Sequence, residues 1–326
     1  MNRLVVLGDG AWGTALAVVL GRAGRPVGLW SKFPQAVEAM RSARENAKFL
    51  PGVRFPDAVE VLGGPPPRAD AYVAAVPTQF VRDAFRELAA GLPREALYVC
   101  VAKGLEQSTG LRPTEILRDV LGPVRLAVLS GPSHAPEVAR GLPASVVVAG
   151  DAEDARQAQE LFRGSTIRVY TSRDPLGVEL GGALKNVIAL AGGICDGLGL
   201  GHNAKAALLT RGIVEMARLG EALGADPRTF FGLSGIGDLI TTTTFPHGRN
   251  LTVGRAIGEG RSLDETLAAL PGVAEGVWTT KAVLRLAKAR RVDMPITEEV
   301  HAILFEGKPA KQALADLMAR EMKEET

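Results

Sequence analysis

The chain has 326 residues, 46% of them apolar, 23% charged and 5% aromatic, a balance that argues against long disorder and predicts two domains of roughly 100 to 200 residues each. Lys plus Arg total 38 against 36 for Asp plus Glu, a formal net charge of +2 without a long run of like charge, so nucleic acid is not expected as a partner. The longest uncharged stretch, Gly10 to Gly21, is 12 residues, short of the roughly 20 that a membrane-spanning helix needs.

Met1-Asn2-Arg3 runs straight into the apolar segment Leu4 to Leu7 without a signal-type core, so a cytoplasmic location is expected. Continuous apolar runs predict strands over 3–8, 26–30, 71–76, 97–102, 125–129, 145–149 and 167–171, alternating with helical segments, the pattern of a parallel sheet covered on both faces. Beyond about residue 172 the β-branched clusters thin out. Apolar residues at 180, 184, 187, 188, 191, 194 and 195 fall on one helical stripe, and Gly and Ala are dense from Gly177 to Ala225, which predicts a buried central helix in a bundle of closely approaching helices. Further helices are expected over 203–223, 249–259, 263–270, 276–290, 296–306 and 309–323. Cys100 and Cys195 stand far apart among apolar neighbours, as reduced core thiols do, and His134, His202, His247 and His301 show no ligand spacing, so no metal is expected.

Gly8-Asp9-Gly10-Ala11-Trp12-Gly13 follows the first strand and opens the helix at Ala11. In that setting the spacing has mechanical meaning: Gly8 makes the tight turn, Gly10 lets backbone amides reach a pyrophosphate, and Gly13 lets helix and strand pack closely. The expected fold class is therefore α/β, with an N-terminal Rossmann-like doubly wound parallel sheet over 1–171 that binds NAD(P) and an all-helical substrate-binding and catalytic domain over 172–326. An NAD-specific site usually carries an acid at the end of the second strand, for the ribose hydroxyls. Here that strand runs into Ser31-Lys32-Phe33. Either Lys32 pairs with a 2′-phosphate, which points to use of NADP(H), or of both cofactors, ahead of strict NAD use, or it is a solvated surface lysine.

In an open sheet, ligands sit beyond the carboxyl ends of the strands. Those ends carry Val76 to Phe80, then Lys103 in Ala102-Lys103-Gly104, then Ser130-Gly131-Pro132-Ser133-His134-Ala135. In the helical half, Lys185 lies one residue from the packing stripe of an apolar helix. A buried ammonium costs several kcal/mol unless its pKa drops or an anion pairs with it, and either escape makes Lys185 a functional candidate. The alternative is a stem along the core with its head in solvent. Arg249 and Asn250 stand where a helix should begin, so a guanidinium, an amide and free backbone N–H groups would form an anion seat; the other reading is a helix cap with a surface charge.

These pieces together make the chain resemble, from end to end, the bacterial-type NAD(P)-dependent glycerol-3-phosphate dehydrogenases. The matching segments are Gly8 to Ala17, Ala102 to Glu106, Ser130 to Ser133, Gly181 to Ala189, Gly237-Asp238-Leu239, Arg249-Asn250, Val273 to Gly276 and Met294 to Thr297. The resemblance implies interconversion of glycerone phosphate and sn-glycerol 3-phosphate for glycerophospholipid synthesis, on a small phosphorylated three-carbon substrate, by a homodimer. It implies that Lys185 is the catalytic lysine, with Lys103 and Asp238 at the reacting end and Arg249 and Asn250 at the substrate phosphate. Gly131 and Ser133 would line the pocket, and Thr242, four residues after Asp238, would add a hydroxyl. Where relatives often have Ser, Gly248 leaves only a backbone contact. Alongside Gly8, Gly10, Ala11 and Gly13, the implied cofactor contacts are Trp12, Lys32, Phe33, Phe80, Lys103, Ala135, Arg249, Val273 and Glu275. Two other readings fit the same architecture, a β-hydroxyacid or ketopantoate-type dehydrogenase and a noncatalytic dinucleotide-binding redox sensor.

Overall fold

Eight strands, β1 (Leu4–Leu7), β2 (Val27–Trp30), β3 (Val59–Leu62), β4 (Ala71–Ala74), β5 (Leu97–Cys100), β6 (Arg125–Ser130), β7 (Ala144–Gly150) and β8 (Ile167–Ser172), form one sheet in the order β3-β2-β1-β4-β5-β6-β7-β8. The computed structural model describes all residues except Met1, Asn2, His247, Pro271, Lys323 and Thr326. His247, one of the histidines without ligand spacing, and Lys323, the end of the last expected helix, thus lie outside the described residues.

The first six strands are parallel, with Val5 opposite both Gly28 and Tyr72. Alternate residues of each strand feed two cores. Val6, Val73 and Val99 pack with α1 (Ala11–Arg22), α2 (Pro34–Ala43), α5 (Ala135–Ala139) and α6 (Ala152–Leu161), whereas Val5, Tyr72 and Tyr98 pack with α3 (Thr78–Leu88) and α4 (Pro113–Leu121). Burial on both faces is why these strands read as unbroken apolar runs.

The sheet departs from the sequence expectation at two places. The strand β3, missed by the reading, is Val-Glu-Val-Leu with Glu60 exposed at the edge of the sheet, too short and too broken by charge to show as a buried run. β7 runs antiparallel to β6, with β8 parallel to β7. The connection from β6 contains only the five-residue α5 and no full crossover helix of the kind that returns a chain to a parallel strand. The chain re-enters the sheet at the strand end it left.

Eight α-helices follow among the described residues: α7 (Pro175–Gly197), α8 (Gly201–Ala222), α9 (Asp238–Thr244), α10 (Arg249–Gly258), α11 (Leu263–Ala268), α12 (Glu275–Arg290), α13 (Pro295–Phe305) and α14 (Ala310–Met318). The last ends five residues before the expected 323. Asp174 caps α7 by accepting from the Gly177 amide at 2.8 Å, with Pro175 at the first helical position. From Gly177 to Cys195 every residue of α7 is buried, because α8, α10, α12 and α13 surround it with one apolar core. Among the described residues α7 alone is long and apolar enough to cross a bilayer, and its apolar window is wholly buried inside the fold. Small residues set the crossing of α7 with α10: a Cβ on Gly193 would lie 2.2 Å from the Leu251 carbonyl oxygen, and one on Gly254 2.1 Å from that of Leu190.

Candidate active site

At the carboxyl end of β1, Gly8 adopts φ 118°, and a Cβ there would lie 2.7 Å from the Ala75 carbonyl oxygen. A Cβ on Gly13 would meet the Gly8 carbonyl oxygen at 2.2 Å, whereas one on Gly10 would meet nothing within 4 Å. The first and third glycines are thus demanded by the protein's own backbone, and the second faces open space at the amino end of α1. The first turn of α1, Ala11 to Gly13, carries no acidic residue, so its unpaired N–H groups and dipole favour an anion there. Polar side chains hold the loop from behind: Asn46 donates to the Asp9 carbonyl at 2.6 Å and to Thr14 Oγ1 at 2.8 Å, and the Ser31 hydroxyl donates to Asp9 Oδ2 at 2.9 Å. Trp12 Nε1 is buried without a hydrogen-bond partner.

The loops after β4, β5 and β6 open onto the same edge of the sheet. Lys103 donates to the Gly131 carbonyl at 2.9 Å, to Ser133 Oγ at 2.8 Å and to Asp238 Oδ2 at 2.7 Å. Close approach of α7 makes this possible, since a Cβ on Gly182 would lie 2.6 Å from Ser130 Oγ and 3.4 Å from Lys103 Cγ. One turn on, Lys185 is only 6% exposed. Its ammonium reaches Thr242 Oγ1 at 2.5 Å and Asp238 Oδ1 at 3.3 Å. Asp238 and Thr242 share a face of α9 because they are four residues apart. Burial, with Lys103 and Arg249 nearby, lowers the Lys185 pKa to about 8 even though Asp238 pulls it up. Burial opposes the charge on Asp238, but the two ammonium groups prevail and hold its carboxyl below the usual range. Five expected residues, Lys103, Ser133, Lys185, Asp238 and Thr242, therefore converge with the Gly131 carbonyl.

Gly248 caps α10, and Arg249, its first residue, remains exposed. Asn250 is placed differently from the expected phosphate contact. It is 7% exposed, and its amide is spent on the protein, donating to Asn186 Oδ1 at 2.8 Å and accepting from the Gly276 amide at 3.0 Å. Asn186 in turn donates to the Lys103 carbonyl at 2.8 Å. This relay ties the Lys103 loop to the starts of α10 and α12. Sequence reading gave Asn186 no role; its signal was an amide next to Lys185 in an otherwise apolar helix.

Glu275, at the start of α12, accepts from the Thr78 amide at 2.8 Å, while its Oε2 and Thr78 Oγ1 are buried without partners. Both atoms crowd Gly104, whose added Cβ would lie 2.7 and 2.8 Å from them. Burial pushes the Glu275 carboxyl up to about 7 against the Thr78 amide and Arg249. The open space before Gly10 and these unpartnered buried polar atoms fit a dinucleotide laid along the strand ends. On the same side Ala135 is buried, Val273 is half-buried, and Phe33 and Phe80 are 60% and 53% exposed. Lys32 lies at the rim, its ammonium 2.6 Å from Glu87 Oε1.

Family models for the N-terminus and the C-terminus of NAD-dependent glycerol-3-phosphate dehydrogenase match residues 3–156 and 174–315. A glycerol-3-phosphate dehydrogenase [NAD(P)+] of Chlorobium limicola is 48% identical, with 99% of each chain covered. One of Moorella thermoacetica is 50% identical over 97% of this chain and 96% of its own. The crystal structure of glycerol-3-phosphate dehydrogenase from Coxiella burnetii superposes with a TM-score of 0.92 at 36% identity, covering 98% of this chain and 99% of that one. With both halves matched and relatives near half identity over full length, this chain belongs to the NAD-dependent glycerol-3-phosphate dehydrogenase family.

Proposed function

We propose that the protein interconverts glycerone phosphate and sn-glycerol 3-phosphate with NAD(H) or NADP(H), and that Lys185 is the proton carrier. The buried ammonium of Lys185, held between Thr242 and Asp238 with a pKa near 8, carries this reading. Bound NAD(P)H supplies a hydride to the ketone carbon. The protein must then protonate the developing alkoxide, and general acid–base catalysis works best when the donor's pKa lies near the working pH. Lys185 donates that proton in reduction and, as the neutral amine, takes it back in oxidation.

Asp238 orients the ammonium and offsets the repulsion from Lys103. Lys103, fixed by the Gly131 carbonyl and Ser133, presents a charge-assisted donor to the substrate oxygen. Arg249 and the free amides at the amino end of α10 hold the substrate phosphate, and the relay through Asn250 and Asn186 keeps that end in register with the reacting end. Gly8, Gly10, Ala11, Trp12 and Gly13 hold the pyrophosphate, with Phe33, Phe80, Ala135, Val273 and Glu275 along the nucleotide and Lys32 beside the adenosine ribose. The cofactor half and the substrate half divide at about residue 172. The enzyme works as a cytoplasmic homodimer, supplying glycerol 3-phosphate for glycerophospholipid synthesis; two buried free thiols suit a reducing compartment, and sedimentation of purified protein tests the dimer.

The decisive assay follows oxidation of NADH and NADPH on addition of glycerone phosphate, beside a panel of keto acids. Lys185→Met is expected to lower kcat by at least about 100-fold while cofactor affinity, measured by titration, stays within about twofold. Turnover within tenfold of the parent enzyme would remove Lys185 from this role.

A further inference from the structure

The end of β2 is where a dinucleotide fold meets the adenosine ribose, and an acid there commonly accepts the ribose hydroxyls. In this chain the strand supplies none, but the structure brings a carboxylate to the same place from another element. Glu87, in the last turn of α3, puts Oε1 at 2.6 Å from the ammonium of Lys32. Both side chains are about half exposed, at 48% and 56%, so the pair stands open to a ligand. The neighbouring groups are committed elsewhere. Ser31 is 1% exposed and bonded to Asp9, the Arg41 guanidinium donates to the Val61 carbonyl, and that of Arg44 to the carbonyls of Val59 and Pro56.

We propose that Glu87 is a specificity-determining residue, which keeps Lys32 occupied and so restrains binding of the 2′-phosphate that distinguishes NADP(H) from NAD(H). The inference rests on the reading that Lys32 faces the adenosine ribose. A 2′-phosphate that reaches Lys32 must displace the Glu87 carboxylate and approach its negative charge, and both demands weaken NADPH. NADH, with a neutral hydroxyl in that place, meets neither. An exposed ion pair is a weak restraint, so the chain accepts both cofactors with a bias and does not exclude one. Lys32 is then a switchable contact: free, it favours NADP(H), and paired with Glu87 it loses that preference.

The test is direct binding of NADPH and of NADH, without substrate, by calorimetric titration at low ionic strength on the parent protein, Glu87→Gln, Lys32→Met and the double variant. Glu87→Gln is expected to lower the Kd for NADPH about twofold to fivefold, with that for NADH changed by less than about 1.5-fold. Lys32→Met is expected to raise the Kd for NADPH, and in its background the Glu87 effect should shrink. An unchanged NADPH-to-NADH ratio in Glu87→Gln, or weaker NADPH binding, overturns the role of Glu87. Should Lys32→Met still weaken NADPH in that case, Lys32 keeps its place and only Glu87 loses its role. If neither variant moves the ratio, Lys32 does not face the 2′ position and both readings fall together. Loss of all nucleotide binding in Glu87→Gln would mark a structural residue and sink the proposal equally.

Discussion

Two buried charges in this protein sit in similar surroundings and serve different ends. Lys185 in α7 and Glu215 in α8 each sit on the buried side of a helix, at 6% and 3% exposure. Glu215 spends its carboxylate on the start of α13, accepting from the Ile296 amide at 2.6 Å and from the Thr297 amide and hydroxyl at 3.3 Å. Those amides are the ones a helix leaves unpaired at its amino end, so the charge completes a piece of architecture. The partners of Lys185 are side chains of a different element, Thr242 and Asp238, and it shares that carboxylate with a second ammonium. A group whose oxygens are spent on backbone amides is not presented to a ligand. An ammonium balanced among side chains, with a pKa near 8, can pass its proton to one.

Removing the carboxylate that the two ammonium groups share strains this contrast most. Asp238→Asn keeps the shape and leaves Lys103 and Lys185 facing each other without a counter-charge. We expect kcat to fall by about 100-fold or more, and the alkaline limb of the reduction profile to move below about 8, because Asp238 is what raises the Lys185 pKa. A limb that stays in place would mean that the titrating group is not Lys185.

In the unaltered protein, the direction of the reaction sharpens the same point. The donor must carry its proton for reduction, so kcat for glycerone phosphate should fall about tenfold per pH unit above the Lys185 value near 8. The acceptor must lack it for oxidation, so kcat for glycerol 3-phosphate should rise to the same pH and then level off. Profiles that bend the same way in both directions would assign the limb to substrate or cofactor binding.

How much of this was legible in the sequence depends on what makes each feature. The glycine loop needs only its own backbone and the strand beside it, so spacing alone located Gly8, Gly10 and Gly13. Lys185 was legible as a charge in an apolar helix, but the same pattern holds at Glu179, which braces the start of α4 through the Thr114 amide at 2.8 Å, and Glu215 is as deeply buried within the more charged α8. What separates the three is the partner, and the partners lie 57, 81 and 65 residues away along the chain. No local pattern encodes that distance, and matching to the family supplied it for Lys185. Asn250 shows the limit: its neighbour Arg249 suggested an anion seat, whereas the fold uses the amide to join α7 to α12. The direction of β7 was hidden for a comparable reason, since it depends on the length of α5 and not on the strand's own residues.

The smallest effect tests the structural member of the pair. Burial raises the Glu215 carboxyl from 4.5 to about 7, against the amides of Ile296 and Thr297 and the Thr297 hydroxyl. A carboxyl whose value is raised on folding adds stability below its unfolded value, and that stability is lost as pH climbs through the folded one. The parent protein should therefore lose ground between pH 5 and 8, by up to about 3 kcal/mol, as the fold is forced to hold a buried carboxylate. Glu215→Gln retains an oxygen for the Ile296 amide and has nothing to ionise. Its Tm relative to the parent should move upward across that interval in calorimetry, with kcat unchanged. A Tm difference flat from pH 5 to 8 would mean that the helix amides already keep Glu215 ionised, and a kcat loss like that of Asp238→Asn would erase the distinction between the two buried charges.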